Sequence, residues 1–304
     1  MIEVRRSGLC DLVMDMGRPG RGALGVPAGG AADPAALAAA NYLVGNETTA
    51  AGLEITLAGP RLLFPRGGVA ALTGACFAAS RSSGVAVAWN ETLVLAEGEV
   101  LTLDRPAAGG GRCWLALRGG LEVPQVMGSR STFLPSGFGG HCGRALQAGD
   151  VLRCGTPAGQ MRLLRACPPP GGAGGCLRVV AGPQASQFDD AGLAAFFGSC
   201  YRVDAASDRR GLRLGGTPVS HRQAELPSQG VLPGAIQVPP DGQPIILGWD
   251  GPVTGGYPVI AGVITADVPR LAQLMPGDVI RFVTVEVEPA RALAAVPWEI
   301  KELA

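Results

Sequence analysis

The run Asp250-Gly-Pro-Val-Thr254-Gly-Gly-Tyr257-Pro places a carboxylate, a hydroxyl and a phenol in one Gly-rich loop after the apolar segment Ile245-Ile-Leu. Such a set can do acid–base work. Asp250 would be the base or water-orienting group, Thr254 and Tyr257 the hydrogen-bond donors, and Gln237 a neutral donor to an amide or ureido oxygen. An Asx-type turn, with Asp250 capping backbone N–H groups and Tyr257 packed on the fold, explains the same residues without chemistry. Arg18, Arg130, Arg144, Arg209 and Arg213 stand in Gly-rich runs. There a planar guanidinium can hold a carboxylate or phosphate bidentately, or simply pin a loop through its carbonyls.

Other chemistries find little to work with. The only lysine is Lys301, which leaves no G-x-x-x-x-G-K-[ST] phosphate loop and no internal biotinyl or Schiff-base lysine. The only histidines are His141 and His221, and no G-x-S-x-G elbow occurs, so a serine–histidine triad has no basis. His141-Cys142 has no spaced partner pair and reads as a loop; no metal site is expected. Gly20-Arg-Gly-Ala-Leu-Gly25 matches G-x-G-x-x-G, but no strand precedes it, and a chain with 47 Gly produces such a match by chance. Asp33 before Pro34 reads as a helix cap, and Asp15 as structural. Trp89, Trp114 and Trp249 read as core, and Trp298 as a contact for a partner chain.

The elements that must position these residues are short strands punctuated by Gly and by 25 Pro. Ala70-Ala-Leu-Thr, Val85-Ala-Val-Ala-Trp, Thr92-Leu-Val-Leu, Val100-Leu-Thr-Leu, Cys113-Trp-Leu-Ala-Leu, Leu177-Arg-Val-Val, Ile245-Ile-Leu and Ile280-Arg-Phe-Val-Thr-Val all fit strands. Helices are expected over Ala35–Val44, Asp189–Phe197 and Val268–Leu274. Strands at this density predict a mainly β chain of barrels or sandwiches. Gly98-Glu, Gly149-Asp and Gly277-Asp each open a similar strand, a weak internal echo. The Cys167-Pro-Pro-Pro-Gly-Gly-Ala-Gly-Gly-Cys176 run reads as a linker. The expected domains are therefore 1–166 and 177–304, joined by 167–176.

Lys plus Arg and Asp plus Glu are 25 each, and no basic run exists, which argues against nucleic acid as a partner. The eight scattered cysteines, with no C-x-x-C pair, read as reduced thiols. The N-terminus lacks an apolar secretory stretch and no segment has the length of a membrane span, so a soluble cytoplasmic protein is expected.

Several longer blocks point further. Asp15-Met-Gly-Arg-Pro-Gly20, Gly25-Val-Pro, Ala31-Ala-Asp33-Pro, Ala40-Asn-Tyr-Leu-Val-Gly-Asn46 and Leu53-Glu-Ile-Thr-Leu-Ala-Gly-Pro60 open the series. Arg118-Gly-Gly-Leu-Glu-Val-Pro124, Gly128-Ser-Arg-Ser-Thr132, Gly143-Arg-Ala-Leu and Gly149-Asp150 follow. Gly182-Pro-Gln, Ser207-Asp-Arg-Arg-Gly-Leu-Arg-Leu214, Pro233-Gly-Ala-Ile-Gln-Val-Pro-Pro240, Gly242-Gln-Pro-Ile-Ile-Leu247 and Asp250 to Pro258 close it. In this order they resemble the KipA family, also called allophanate hydrolase subunit 2 or the biotin-dependent carboxyltransferase family, over residues 3 to 288.

The resemblance implies two tandem cyclophilin-like β-barrel domains. It implies work with a KipI-type subunit and a LamB/YcsF-type subunit as an ATP-dependent 5-oxoprolinase on a small lactam or amide, with this chain inactive alone. No cofactor would be covalently bound here; ATP would be used by the complex. An alternative role is carboxyltransferase in a urea-carboxylase-like system, with carboxybiotin on another chain. A third is a non-catalytic regulator binding a KipI-type kinase inhibitor. On the matched motifs, Ser129, Gly255 and Gly256 join the five arginines as expected substrate contacts, beside Asp250, Thr254, Tyr257 and Gln237. The chain departs from the family pattern at Met14 (Gln-Asp is usual), at Arg210 (Arg-Met-Gly) and at Gln229 (Ser-Glu-Gly).

Overall fold

The structure, a computed structural model, describes residues 1–157, 159–168, 175–222, 226–293 and 298–303. The chain forms two compact units, each assembled from separate stretches. Unit 1 holds Met1–Arg18, Gly29–Pro169 and Pro297–Ala304; unit 2 holds Pro19–Ala28 and Pro170–Val296.

Unit 1 contains β1 (Ile2–Arg6), β2 (Cys10–Met14), α1 (Pro34–Leu43), β3 (Gly52–Thr56), β4 (Arg61–Phe64), β5 (Gly68–Gly74), β6 (Phe77–Arg81), β7 (Thr92–Leu95), β8 (Glu99–Pro106), β9 (Arg112–Leu117), β10 (Val151–Leu152) and β11 (Leu164–Cys167). One sheet runs β10-β1-β4-β8-β6 and the other β2-β3-β9-β5-β7. Alternating residues of both, among them Val4, Leu62, Leu101, Leu53, Leu72 and Leu115, meet in one core. The second sheet is covered on its outer face too. Ala71 and Ala116, the residues between the core positions of β5 and β9, pack with Ala39, Ala40 and Leu43 of α1, which is why every residue of β9 is buried. Asp33 caps α1, accepting from Ala36 N at 2.9 Å with Pro34 next, as the sequence predicts.

Unit 2 contains β12 (Cys176–Ala181), α2 (Asp190–Gly198), β13 (Tyr201–Val203), β14 (Gly211–Gly215), β15 (Gln229–Gly230), β16 (Ala235–Gln237), β17 (Ile245–Leu247), β18 (Thr254–Gly255), β19 (Val259–Val263), α3 (Val268–Leu271), β20 (Val279–Thr284) and α4 (Val287–Ala292). The order β12-β19-β16-β17-β14-β13-β20 closes into a barrel, because β20 pairs in parallel with β12. Phe196 of α2 stacks on Phe282 of β20 at 4.5 Å and lies 6.2 Å from the Tyr201 ring, giving the barrel an aromatic cluster. The mainly β reading holds, and Gly98, Gly149 and Gly277 of the internal echo all take positive φ before β8, β10 and β20.

Some expectations change. Val85 to Trp89 carries no strand; Val87, Ala88 and Trp89 instead lean on the unit 1 core. The division at 167–176 is not a simple cut. Residues 169–174 of that run lie outside the described residues, Cys167 ends β11 and Cys176 begins β12. The strand Glu299–Glu302 pairs with β11, from Leu164 opposite Glu302 to Cys167 opposite Glu299, and therefore belongs to unit 1. Trp298 packs with Ile300 against the α1 side of that unit rather than standing free for a partner.

Candidate active site

The loop from Gly248 to Tyr257 leaves β17 and returns to β19 in unit 2. It is held from below by an ion pair. Arg209 Nε lies 2.8 Å from Asp250 Oδ2 and Arg209 Nη2 lies 3.1 Å from Oδ1, with side chains 6% and 1% exposed. Asp250 N also bonds Arg209 O at 3.0 Å, and Gly248 N bonds Arg210 O at 2.9 Å. A Cβ on Gly248 would sit 2.2 Å from Arg209 O, so only glycine permits this approach.

This geometry corrects two expected roles. Both oxygens of Asp250 face Arg209 and are shut from solvent, so Asp250 fixes the loop and has no lone pair presented to a substrate as a base. Arg209 is likewise committed, and offers no open fork to a substrate carboxylate.

Above this brace, Thr254 and Tyr257 are exposed while Gln237 is 4% exposed. Gln237 Nε2 donates to Tyr257 O at 3.4 Å, and a Cβ on Gly255 would come within 2.5 Å of that Nε2. Gly255 is thus the gap that admits the Gln237 carboxamide. Gly256 O accepts from Leu226 N at 2.7 Å, tying the loop to its neighbour. One wall of the loop closes a cavity of 600 Å³ with Arg21, Val26, Pro27, Val231, Val253 and Thr254 among its lining. Residues 20 to 25, which match a dinucleotide motif only by chance, form a turn and a single 3-10 turn at that cavity. Their place in a Gly-rich run is the one signal the sequence offers for it.

The remaining arginines separate by partner. Arg213, on β14, is exposed, and its guanidinium has no partner among the described residues. In unit 1, Arg18 is 1% exposed, donates to Ser131 O and lies 5.0 Å from the Phe138 ring centre. It pins the 126–138 loop and is not a substrate contact. Arg144 forks onto Asp150 at 2.7 and 2.8 Å and holds that carboxyl down to about 2. Ser129 is fully buried and donates to Asp15 Oδ1 at 2.6 Å; Ser131 Oγ and the backbone N–H groups of Gly17 and Arg130 also donate to Asp15. Asp15 is a structural hub, as expected, and Ser129 is one of its spokes.

Arg130 differs from these. Half-buried, its Nε has no hydrogen-bond partner and its guanidinium makes no ion pair among the described residues. It remains available to an anion.

Three carboxamides in unit 2 complete the picture. Gln184 Nε2 donates to Gln229 Oε1 at 2.9 Å, and Gln229 sits directly opposite Gly255 in the β15–β18 ribbon. In the sequence Gln229 stands out only as a departure and Gln184 only as part of a block, because nothing local reveals that a distant strand brings them together. Among the described residues no group of three His, Cys, Asp or Glu gathers as for a metal, and no helix is long and apolar enough to cross a membrane.

Comparison with known proteins extends this description. The family model described as carboxyltransferase domain, subdomain A and B, matches residues 24–284. The C subunit of 5-oxoprolinase from Escherichia coli (strain K12) is 41% identical over 299 residues, 95% of this chain and 93% of that protein. Its namesake from Haemophilus influenzae is 34% identical over 92% of this chain and 90% of that protein. Urea amidolyase of Lachancea kluyveri is 32% identical over 96% of the chain, which spans only 17% of that protein. The crystal structure of the K. lactis urea amidolyase superposes with a TM-score of 0.87 at 31% identity, over 95% of this chain and 19% of that one. The resemblance drawn from the sequence blocks is borne out over nearly the whole chain.

Proposed function

The chain belongs to the carboxyltransferase domain, subdomain A and B family, and from that membership we propose that it is the C subunit of an ATP-dependent 5-oxoprolinase. The reaction would take 5-oxoproline, ATP and water to glutamate, ADP and phosphate, with a KipI-type and a LamB/YcsF-type subunit as partners. One observation carries this reading: 41% identity to the C subunit of the E. coli 5-oxoprolinase extends across 93% of that protein.

The chemistry is consistent with a shared task. The only lysine, Lys301, ion-pairs with Glu299 at 3.2 Å in unit 1 and stands in no phosphate loop, so in this reading a partner cradles the ATP phosphates. What this chain can supply are donors to an opening lactam: the Gln237 carboxamide, and Thr254 and Tyr257 on the braced loop. Arg213 in unit 2, and separately Arg130 in unit 1, are guanidiniums that can take an anion.

The test is reconstitution. Purified chain mixed with both partner subunits should release ADP and glutamate only when 5-oxoproline is added, and the chain alone should do neither. Turnover by the isolated chain would overturn the division of labour. A second reading, carboxyl transfer from carboxybiotin on another chain to an amide, draws support from the TM-score of 0.87 to urea amidolyase. Carboxylation of urea by the chain with a biotinylated carrier, and no response to 5-oxoproline, would favour it.

A further inference from the structure

Two carboxamides of unit 2, those of Gln184 and Gln229, form a chain whose direction is fixed from one end. Val259 N, which can only donate, bonds Gln184 Oε1 at 3.1 Å, and Gln184 N returns a bond to Val259 O at 3.3 Å. Gln184 is therefore anchored with its oxygen spent. Its Nε2 must point the other way, and it donates to Gln229 Oε1 at 2.9 Å. That contact in turn spends the oxygen of Gln229. What remains is the Gln229 Nε2 donor, buried and without a hydrogen-bond partner among the described residues.

A buried amide donor left unmade costs stability, and native proteins keep few of them. Here the geometry enforces that cost, since a flip of Gln229 would set its NH₂ against the NH₂ of Gln184. The groups these contacts bring to the loop are uncharged: Gln184, Gln229 and Gln237 contribute carboxamides, Gly255 no side chain and Tyr257 a backbone oxygen. The cover of Gln229 is slight. The β15–β18 ribbon is two residue pairs long, Gln229 with Gly255 and Gly230 with Thr254, flanked by the Leu226 N–Gly256 O and Val231 N–Val253 O bonds, so few contacts stand between Gln229 and solvent at this edge of the loop.

We infer that Gln229 Nε2 is a substrate-recognition donor, oriented by Gln184, that takes the carbonyl oxygen of an amide or lactam. Gln184 and Gly255, the neighbours of Gln229 named above, carry no charge, so a neutral acceptor fits the donor better than a carboxylate would. The inference rests on the reading of the chain as an amide- or lactam-directed subunit, and makes Gln229 a specificity residue and Gln184 a positioning residue.

The experiment uses the reconstituted complex with wild-type chain, Gln229→Met and Gln184→Met. Three quantities are read: KM for 5-oxoproline, the inhibition constant of 2-pyrrolidinone, which keeps the lactam carbonyl but lacks the carboxylate, and the Tm of each chain. Gln229→Met should raise both constants by about tenfold or more, the worth of one good hydrogen bond. Its Tm should hold or rise, because an apolar isostere removes the unmade donor. Gln184→Met should act in the same direction but less, since it frees Gln229 to turn.

Unchanged constants in Gln229→Met would mean that the donor serves water only and would overturn the inference. So would a rise for 5-oxoproline alone, which would assign the contact to the carboxylate. If the wild-type complex ignores 5-oxoproline, the oxoprolinase reading fails instead. The Gln229 inference is then decided by thermal shift with 5-oxoproline, 2-pyrrolidinone and urea: it stands if any of them stabilises the wild-type chain and not Gln229→Met, and falls otherwise.

Discussion

At the scale of single residues, the sequence names the arginines of interest but hides their counterions. Arg209 and Asp250 are 41 positions apart, and Arg18 meets a carbonyl 113 positions away. Only the fold tells a spent guanidinium from an open one. The consequence for Asp250→Asn is a folding defect rather than the loss of a base. Taking one partner from a buried pair leaves the other charge uncompensated, at a cost of about 3 to 5 kcal/mol. Denaturant titration should find that loss, and the apolar double variant Arg209→Met/Asp250→Leu should recover much of it. A stable Asp250→Asn chain with a hundredfold lower kcat would instead restore Asp250 as a base. Arg130→Ala and Arg213→Ala belong to the other class. With no ion pair to lose among the described residues, each should melt within a few degrees of the parent, and the one that holds the substrate anion should raise KM about tenfold or more in the reconstituted complex.

At the scale of elements, the burial of β2 produces a pH dependence. Asp11 lies in that strand, 1% exposed, and burial pushes its carboxyl from 3.8 up to about 7 despite the Gly8 N–H donated to it. The folded state then holds a proton that the unfolded state has released, so this residue lowers stability progressively as pH rises from about 4 through 7. The full effect is on the order of 4 kcal/mol, at about 1.4 kcal/mol for each tenfold change in proton affinity. Asp11→Asn should flatten that slope, seen as a smaller drop in urea midpoint from pH 5 to pH 8 than in the parent; Asp33, whose carboxyl is also raised by burial, keeps a remainder of the same sign. Glu99 has the opposite sign. Arg81, by hydrogen bonding, holds it down to about 2 against an ordinary 4.5, so its contribution is present above about 4.5 and is lost as pH falls toward 2. Elements of this kind are legible in the sequence where pattern and partner coincide. Thr92–Leu95 and the Asp33 cap can be read within a residue, because alternation and capping are local. Val85 to Trp89 misleads because alternation records burial, and apolar residues can lean on a core without joining a ladder. The two-residue ribbon of β15 and β18 has too little sequence to show any period, although it carries the candidate donor.

At the scale of the whole molecule, the Pro/Gly run marks where the strand content divides but not where the units end. Each unit borrows a segment from across it. Residues 19–28 line the unit 2 cavity, and the strand Glu299–Glu302 with Trp298 completes unit 1. Cutting the chain at residues 169–174 therefore should not yield two independent folds. The fragment 1–168 lacks the strand opposite β11, leaving that edge open and the α1-side cluster without Trp298 and Ile300. The fragment 175–304 lacks one wall of its cavity. Expressed apart, fragment 1–168 should melt below the intact chain, by roughly 4 to 8 °C if the missing strand contributes about 2 kcal/mol to a unit of this size. A synthetic peptide of residues 298–304 added in excess should raise its Tm again through mass action, and the same peptide with Trp298→Ala and Ile300→Ala should not. If fragment 1–168 melts with the intact chain and ignores the peptide, the terminal strand is an ornament on unit 1, and the contiguous division read from the sequence would be the better description of how this protein folds.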